Sequence, residues 1–185
     1  ESKHCIRVLR MKTGDTLHLT DGQGIRHQAR IVEDNPKRCT VEVLQTEVQK
    51  TRAPFRTHLA VAPTKNINRY EWFLEKATEI GVDEITPLIC ENSERKVIKP
   101  DRLEKVLVAA MKQSLKSFLP RLNAAVTFDH FISLQSTEER FIAYCSDEYR
   151  SQLRESYTTG HDALVLIGPE GDFSLNEVEH AIANG

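Results

Sequence analysis

The chain lacks the features that mark membrane, secreted and metal-binding proteins. No apolar run approaches the ~20 residues that a membrane-spanning helix requires, and the first residues, ESKHCIRVLR, do not follow the order of a signal peptide. The four cysteines include no C-x-x-C pair, which argues against zinc and dithiol redox chemistry. We therefore expect a cytoplasmic protein with reduced thiols, no membrane contact and no metal.

Common phosphate-binding signatures are absent as well. The sequence contains neither G-x-x-x-x-G-K-[ST] nor G-x-G-x-x-G, the glycine-rich patterns that cradle phosphates in front of a helix. An ordinary nucleotide-binding α/β enzyme is therefore disfavoured.

Charge is distributed unevenly along the chain. Residues 1–56 hold 11 Lys or Arg against 7 Asp or Glu, residues 57–120 hold 10 against 9, and residues 121–185 hold 4 against 11. The local balances of +4, +1 and −7 make up the net charge of −2. A basic front end is typical of polyanion-binding surfaces, although ordinary surface charge explains the gradient equally well.

The first fifty residues predict a small β-barrel. Turn-forming residues at 21–24 (DGQG) and 33–37 (EDNPK) separate short apolar segments as hairpin-like connections. Four or five strands without a helical period indicate a barrel. The segments that we interpret as strands are HCIRVLR, DTLHLTDG, IRHQARIV and CTVEVLQ.

The pattern changes near residue 53 to strands that alternate with helices. FRTHLAVAP, DEITPLIC, RFIAYCS and DALVLIG have the continuous apolar character of buried strands, whereas NRYEWFLEKATEIG and the segment opened by Pro100 and Asp101 have helical periodicity. Gly81 is predicted to end the first helix. The alternation predicts an α/β layer with a largely parallel sheet covered on both faces. The apolar stripe of the first helix comprises Tyr70, Phe73, Leu74, Ala77 and Ile80.

The loop GPEG, residues 168–171, follows the last predicted strand. In parallel sheets, ligands bind beyond the carboxyl ends of the strands, and glycines at both ends of this loop let its backbone approach a ligand closely. The next residues, SLNE, form a capping box with Ser174 as N-cap and Glu177 at the third helical position. Taken alone, the loop is also compatible with an ordinary strand-to-helix turn.

Three blocks in order make the pattern specific. TKNINRYEWFLEKATEIGVDEITPLICENSERK, AAMKQSLKSFLP and LIGPEGDFSLNE together resemble the RsmE family, SPOUT-class methyltransferases that methylate N3 of a uridine in 16S ribosomal RNA. The resemblance covers almost the whole chain.

The resemblance implies a fold, a cofactor and partners. It places a PUA-like, RNA-binding β-barrel at residues 1–52 and a SPOUT-type, trefoil-knotted α/β methyltransferase domain at residues 53–185. It implies a homodimer that binds S-adenosylmethionine (SAM) in the knot and acts on 16S rRNA or the small ribosomal subunit. Family members continue past the GPEG helix into a final strand, a loop and a last helix, so the C-terminal end of the domain is expected to be missing here.

The resemblance also implies site residues. No catalytic base is assigned; Glu170 is a candidate, although holding the cofactor loop is its expected duty. The expected cofactor contacts are Leu166, Ile167, Gly168, Pro169, Glu170 and Gly171, with Pro87 and Leu88 from the TPLI strand end. The expected RNA contacts are Arg7 and Arg10 from the first strand of the barrel, with Lys65, Arg69, Arg95, Lys96 and Lys116.

The sequence departs from the family at several positions. Asp172 stands where members often have a second glycine, and Lys112 and Lys116 stand in place of the acid and arginine of an E-Q-S-x-R run, so that Lys116 keeps the charge without the planar fork.

Trp72 is expected at the dimer interface. The alternative function is a non-catalytic RNA-binding module with a degenerate α/β domain.

Overall fold

The computed structural model describes residues 1–49, 53–134, 139–146 and 151–185. The chain divides into two compact units, Glu1–Arg52 and Ala53–Gly185. The boundary predicted between residues 52 and 53 adjoins residues 50–52, which lie outside the described part of the chain. Among the described residues, no helix is long and apolar enough to cross a membrane.

An antiparallel sheet of three strands forms the first unit. The strands pair in the order β1 (Thr16–Thr20), β2 (Ile25–Glu33) and β3 (Thr40–Val48). In the first turn the Asp21 carboxylate accepts hydrogen bonds from two backbone N–H groups, those of Gln23 at 2.7 Å and Ile25 at 3.0 Å. These bonds fix the first predicted hairpin, which is confirmed.

The predicted first strand, HCIRVLR, is wrong. His4–Val8 is a π-helical segment, in which the Leu9 N–H donates to the His4 carbonyl at 3.0 Å. Cys5 and Ile6, which are adjacent in the sequence, are both half-buried, and Val8 is 63% exposed, whereas burial in a strand alternates with a two-residue period. Residues 1–49 therefore supply three strands instead of the four or five predicted.

A parallel sheet forms the second unit, as predicted. Every described strand pair in it is parallel. The strand order is β6 (Arg121–Leu122), β5 (Glu84–Ile89), β4 (Thr57–Val61), β9 (Ala163–Ile167) and β8 (Glu139–Ala143), and β7 (Val126–Thr127) also pairs with β5.

Helices cover both faces of this sheet. One core lies under α1 (Ile67–Ile80) and α2 (Pro100–Gln113) and contains Tyr70, Leu74, Ile85, Leu103 and Leu107. The other lies under α3 (Phe128–Ile132) and α5 (Leu175–Ala183) and contains Leu88, Phe128, Leu166, Phe173 and Val178. The short helix α4 spans Leu153–Ser156. Ile85 and Leu88 on β5 enter opposite cores because successive side chains of a strand alternate between its faces.

The first helix matches its sequence signals except at its last turn. The Asn66 side chain caps its start, and Gly81 ends it with a left-handed φ of 102°, as predicted. Tyr70 is buried, but Ile80 is 79% exposed. At 100° per residue, Ile80 lies roughly 120° from the buried Leu74 around the helix axis, so it falls outside the buried part of the predicted apolar stripe.

Candidate functional site

Three loops meet at the carboxyl edge of the parallel sheet. They follow β4 (residues 62–66), β5 (residues 90–95) and β9 (residues 168–174). The strands are parallel, so their carboxyl ends lie at one edge, where ligands bind in such sheets. The chain segments after β4 and β9 are joined where these loops begin. The Ala62 N–H donates to the carbonyl of Ile167, the last residue of β9, at 2.9 Å.

The GPEG loop is a tight turn packed against its own exit. The Asp172 N–H donates to the Pro169 carbonyl at 2.9 Å. A Cβ atom at Gly168 would lie 3.0 Å from the Phe173 ring and 3.2 Å from the Phe173 backbone nitrogen. Gly168 is therefore required by the packing of Phe173, a reason different from the ligand approach that we expected from the sequence.

Asp172 has a backbone conformation that favours glycine. Its φ is 57°, in the left-handed region that most side chains avoid and Asp tolerates. One carboxylate oxygen accepts the Phe173 N–H at 2.8 Å, and the other accepts the Cys145 N–H at 3.3 Å, just beyond β8. Asp172 thus adopts a glycine-like conformation while joining the loop to a neighbouring strand end.

Glu170 joins two of the three loops. The side chain is exposed, and its Oε1 accepts the Lys65 N–H at 3.0 Å. This bond connects the loop after β9 to the loop after β4. It gives Glu170 a structural task and does not identify it as a base.

Arg95 shapes the loop after β4. Its Nε donates to the Thr64 carbonyl at 3.0 Å, and its Nη2 donates to the Lys65 carbonyl at 2.5 Å. The Lys65 ammonium in turn pairs with Glu94 at 2.7 Å, and this hydrogen-bonded carboxylate raises the pKa of Lys65. Both basic residues are therefore engaged within the loops, whereas the next residue, Lys96, is exposed.

The remaining cofactor candidates differ in whether their side chains are buried or accessible. Leu88 and Leu166 are 0% and 2% exposed, respectively, and Pro87 and Pro169 are also buried. Their side chains belong to the interior, so contact with a ligand from these positions would come through the backbone. Ile167 is 37% exposed and is the candidate with an accessible apolar side chain.

The other RNA candidates lie at separate places. Arg69 is exposed on the first turn of α1. The Lys116 Nζ lies 3.8 Å from where a Cβ of Gly81 would stand, which puts it at the amino edge of the sheet, opposite the three loops. Arg7 and Arg10 are exposed in the first unit. The placement of these two arginines on a first strand is wrong, since Arg7 is π-helical and Arg10 has a φ of 56°.

Sequence reasoning missed the side chains that fasten the loop after β5. The Asn92 side-chain amide donates to the carbonyls of Gly171 and Asp172, both at 3.2 Å. Glu177 completes the predicted capping box, which is confirmed, and it also accepts the Glu91 N–H at 2.9 Å. The box was visible in SLNE; the partner at position 91, 86 residues away, was not.

Two further features lie outside this cluster of loops. A cavity of about 560 Å³ runs along β8 and is lined in part by Phe141, Val165 and Ile182, without any residue of the GPEG loop. Within the described ranges, no three His, Cys, Asp or Glu side chains come together as a candidate metal site.

Family models match both units. A model described as RNA methyltransferase domain matches residues 51–185, and one described as RNA methyltransferase PUA domain matches residues 1–44. The predicted parallel α/β domain and the predicted PUA-like domain are both confirmed.

Individual relatives agree with these matches. The chain is 28% identical over 188 residues to ribosomal RNA small subunit methyltransferase E from Synechocystis, covering 97% of this chain and 60% of the relative. A crystal structure of a "probable rRNA-methyltransferase" from Porphyromonas gingivalis superposes with a TM-score of 0.88 at 43% identity, covering 98% of this chain and 78% of that one. A structure of a "putative methyltransferase" from Legionella pneumophila with the bound cofactor SAM superposes with a TM-score of 0.88 at 27% identity, covering 100% of this chain and 77% of that one.

The chain thus spans 60% of the Synechocystis relative's length and more than three quarters of each of the two solved structures. The family model covers most of the chain, and the resemblance predicted from the three sequence blocks is confirmed. The chain belongs to the RNA methyltransferase family that includes ribosomal RNA small subunit methyltransferase E.

Proposed function

We propose that this protein transfers a methyl group from SAM to N3 of a uridine in 16S ribosomal RNA. The observation that carries the proposal is the meeting of three fastened loops at the carboxyl edge of a parallel sheet, in a chain of the RNA methyltransferase family. Relatives named ribosomal RNA small subunit methyltransferase E support the substrate, and the Legionella structure with SAM supports the cofactor.

The proposed cofactor site uses mainly backbone and apolar surface. Residues 167–171 present main-chain donors and acceptors, with Ile167 as an apolar contact. Such surroundings suit adenine and the thioether region, and the nearby Glu170 carboxylate is compatible with a sulfonium charge. Leu166, Leu88 and Pro87 are buried and lie in the interior beneath this surface.

The reaction forms an N–C bond at N3 and breaks the C–S bond of the sulfonium, and the N3 proton leaves to a base. SAM supplies an already activated methyl group. The protein has to align nucleophile and methyl, which can contribute about 7–11 kcal/mol in favourable cases. Deprotonation requires a base or an environment that stabilises the uracil anion. Because Glu170 is engaged with Lys65, we assign it to holding the loop and leave the base unassigned.

Binding of RNA is assigned to both units. N3 lies on the pairing edge of uracil, so the target must be unpaired or flipped out when it reacts. In the PUA-like unit, Arg7 and Arg10 would contact phosphates. In the methyltransferase unit, Lys65 lies within the loop after β4, and Arg69 and Lys96 lie just beyond the loops. Lys116 would contact RNA at the opposite sheet edge, and Arg95 contributes by shaping the loop after β4.

A homodimer and a trefoil knot are part of the proposal. Trp72 and Ile80 are 63% and 79% exposed on α1, and large exposed apolar side chains are typical of protein interfaces. Equilibrium sedimentation of the native protein and Trp72→Ala would test the dimer; an unchanged monomer mass for both would contradict it.

A cytoplasmic location follows from the proposed substrate.

Methylation can be tested with the full-length protein. Small ribosomal subunits and free 16S rRNA from cells lacking this protein are incubated with it and with methyl-labelled SAM, and the rRNA is analysed by mass spectrometry for 3-methyluridine. We expect one labelled 3-methyluridine. The alternative, a non-catalytic RNA-binding module, predicts RNA binding without heat in a SAM titration and without label.

A further inference from the structure

The buried carboxylate of Glu177 lies between two of the loops described above. The residue is 6% exposed. Its Oε2 accepts the Ser174 N–H at 2.9 Å, and its Oε1 accepts the Glu91 N–H at 2.9 Å. Ser174 follows the GPEG loop and Glu91 follows β5, so one side chain bridges two segments far apart in sequence.

Helix capping alone does not account for this arrangement. A capping box needs one carboxylate oxygen, directed at the N-cap N–H, and the Ser174 bond meets that need. Burying a carboxylate is costly unless both oxygens are hydrogen-bonded. The Glu91 N–H supplies the second bond, and it ties the helix start to the end of β5.

Other contacts along the same seam show that the two segments fit closely. The Asn92 amide donates to the carbonyls of Gly171 and Asp172, and a Cβ at Gly171 would lie 3.3 Å from the Asn92 Cβ. Ser93 is 4% exposed, and its hydroxyl accepts the Cys90 N–H at 2.9 Å. The turn after β5 therefore has a defined shape against the GPEG loop.

We propose that Glu177 is a positioning residue that sets the spacing between the turn after β5 and the GPEG loop, and with it the width of the cofactor site. The role acts through the backbone of Glu91 and Ser174, and Glu177 touches no reacting atom. It rests on the proposed function, because the site it shapes is the proposed SAM site.

The test compares three variants in the full-length protein. Glu177→Gln keeps the size of the side chain but replaces one carboxylate oxygen with an NH₂ group, which cannot accept a hydrogen bond. Of the two backbone N–H donors, those of Glu91 and Ser174, one therefore loses its acceptor. Glu179→Gln, at an exposed position on the same helix, is the control for charge. Ser174→Ala removes the hydroxyl that accepts the Glu177 N–H and leaves the Glu177 carboxylate in place, which makes it the control for helix capping.

SAM affinity, kinetics and thermal unfolding separate the roles. We expect Glu177→Gln to raise the dissociation constant and the KM for SAM about tenfold, with kcat changed much less. Glu179→Gln is expected to match the native protein, and Ser174→Ala to lower Tm while raising the dissociation constant for SAM far less than Glu177→Gln does. Equal losses of Tm in Glu177→Gln and Ser174→Ala, with native SAM affinity in both, would reduce Glu177 to a helix cap.

Amide hydrogen exchange without SAM gives an independent readout. Glu177→Gln should speed exchange at Glu91 or at Ser174, whichever N–H no longer faces the remaining side-chain oxygen, and Ser174→Ala should leave Glu91 protected. Unchanged protection of both Glu91 and Ser174 in Glu177→Gln would overturn the positioning role. If the native protein binds no SAM but the exchange result holds, the proposed function fails while the bridge between the two segments stands.

Discussion

Replacing Gly168 with alanine tests the packing of the GPEG loop. The new methyl group would lie 3.0 Å and 3.1 Å from two carbons of the Phe173 ring and 3.2 Å from its backbone nitrogen. Phe173 is 3% exposed, and its ring packs on Phe128 at a centroid distance of 5.5 Å. Because the ring is enclosed in the core and the nitrogen belongs to the backbone, neither can retreat without disturbing its surroundings.

The expected cost follows from this close contact. Inserting a methyl group into a packed interior costs about 1–3 kcal/mol. In a chain of this size, each 1 kcal/mol lowers Tm by about 2–4 °C. A cost of about 2 kcal/mol therefore predicts a fall in Tm of about 4–8 °C. Gly171→Ala has its closest contact with the Cβ of the exposed Asn92, at 3.3 Å, so it should cost less.

Thermal unfolding tests whether the added methyl group acts through the Phe173 ring. Four proteins are compared: native, Gly168→Ala, Phe173→Leu and the double variant. If the methyl group acts through the ring, the double variant should be more stable than the sum of the single losses predicts, by about 1 kcal/mol. Strict additivity of the two changes, or a native Tm for Gly168→Ala, would refute the packing argument.

The remaining predictions concern backbone strain, a buried thiol and the basic loop residues. Asp172→Gly should be more stable than Asp172→Ala by about 1 kcal/mol, since both variants lose the side-chain bonds but only alanine keeps the left-handed strain; equal unfolding midpoints in urea would contradict this. Burial raises the pKa of Cys90 to about 12, with the Glu177 charge adding to the shift, so iodoacetamide should label the exposed Cys145 well before Cys90, as peptide mass spectrometry would show. The same shift keeps Cys90 protonated in the folded state, so its contribution to stability should be lost as pH rises from about 9 toward 12, and a Cys90→Ala variant should show a smaller alkaline loss. Arg95→Ala should weaken SAM binding by loosening residues 64–65, whereas Lys96→Ala should weaken only RNA binding and its dependence on salt; identical effects of the two on both ligands would remove the distinction.

Local signals predicted much of the second unit. The spacing of Tyr70, Leu74 and Ala77, with a glycine at position 81, identified α1 and its end. The continuous apolar strands indicated a sheet covered on both faces, and SLNE identified the start of α5. These features depend on neighbours within a few residues, which a sequence displays directly.

Tertiary contacts account for most of what the sequence did not reveal. The bonds from Asn92 to the GPEG loop and from Glu91 to Glu177 join residues about 80 positions apart, and no local period encodes them. The sequence does not reveal the π-helical segment His4–Val8, because its imperfect alternation fits a strand nearly as well as a helix. The close approach of Phe173 to Gly168 likewise depends on how the loop folds back.

Amide hydrogen exchange of the full-length protein with and without SAM tests the central claim most directly. The cofactor site is proposed at the carboxyl edge of the sheet, so SAM should slow exchange in residues 166–172 and in the loops after β4 and β5. Residues 81–83, at the amino edge, should be unaffected. Protection confined to the amino edge, or SAM binding with no change in residues 166–172, would contradict the account.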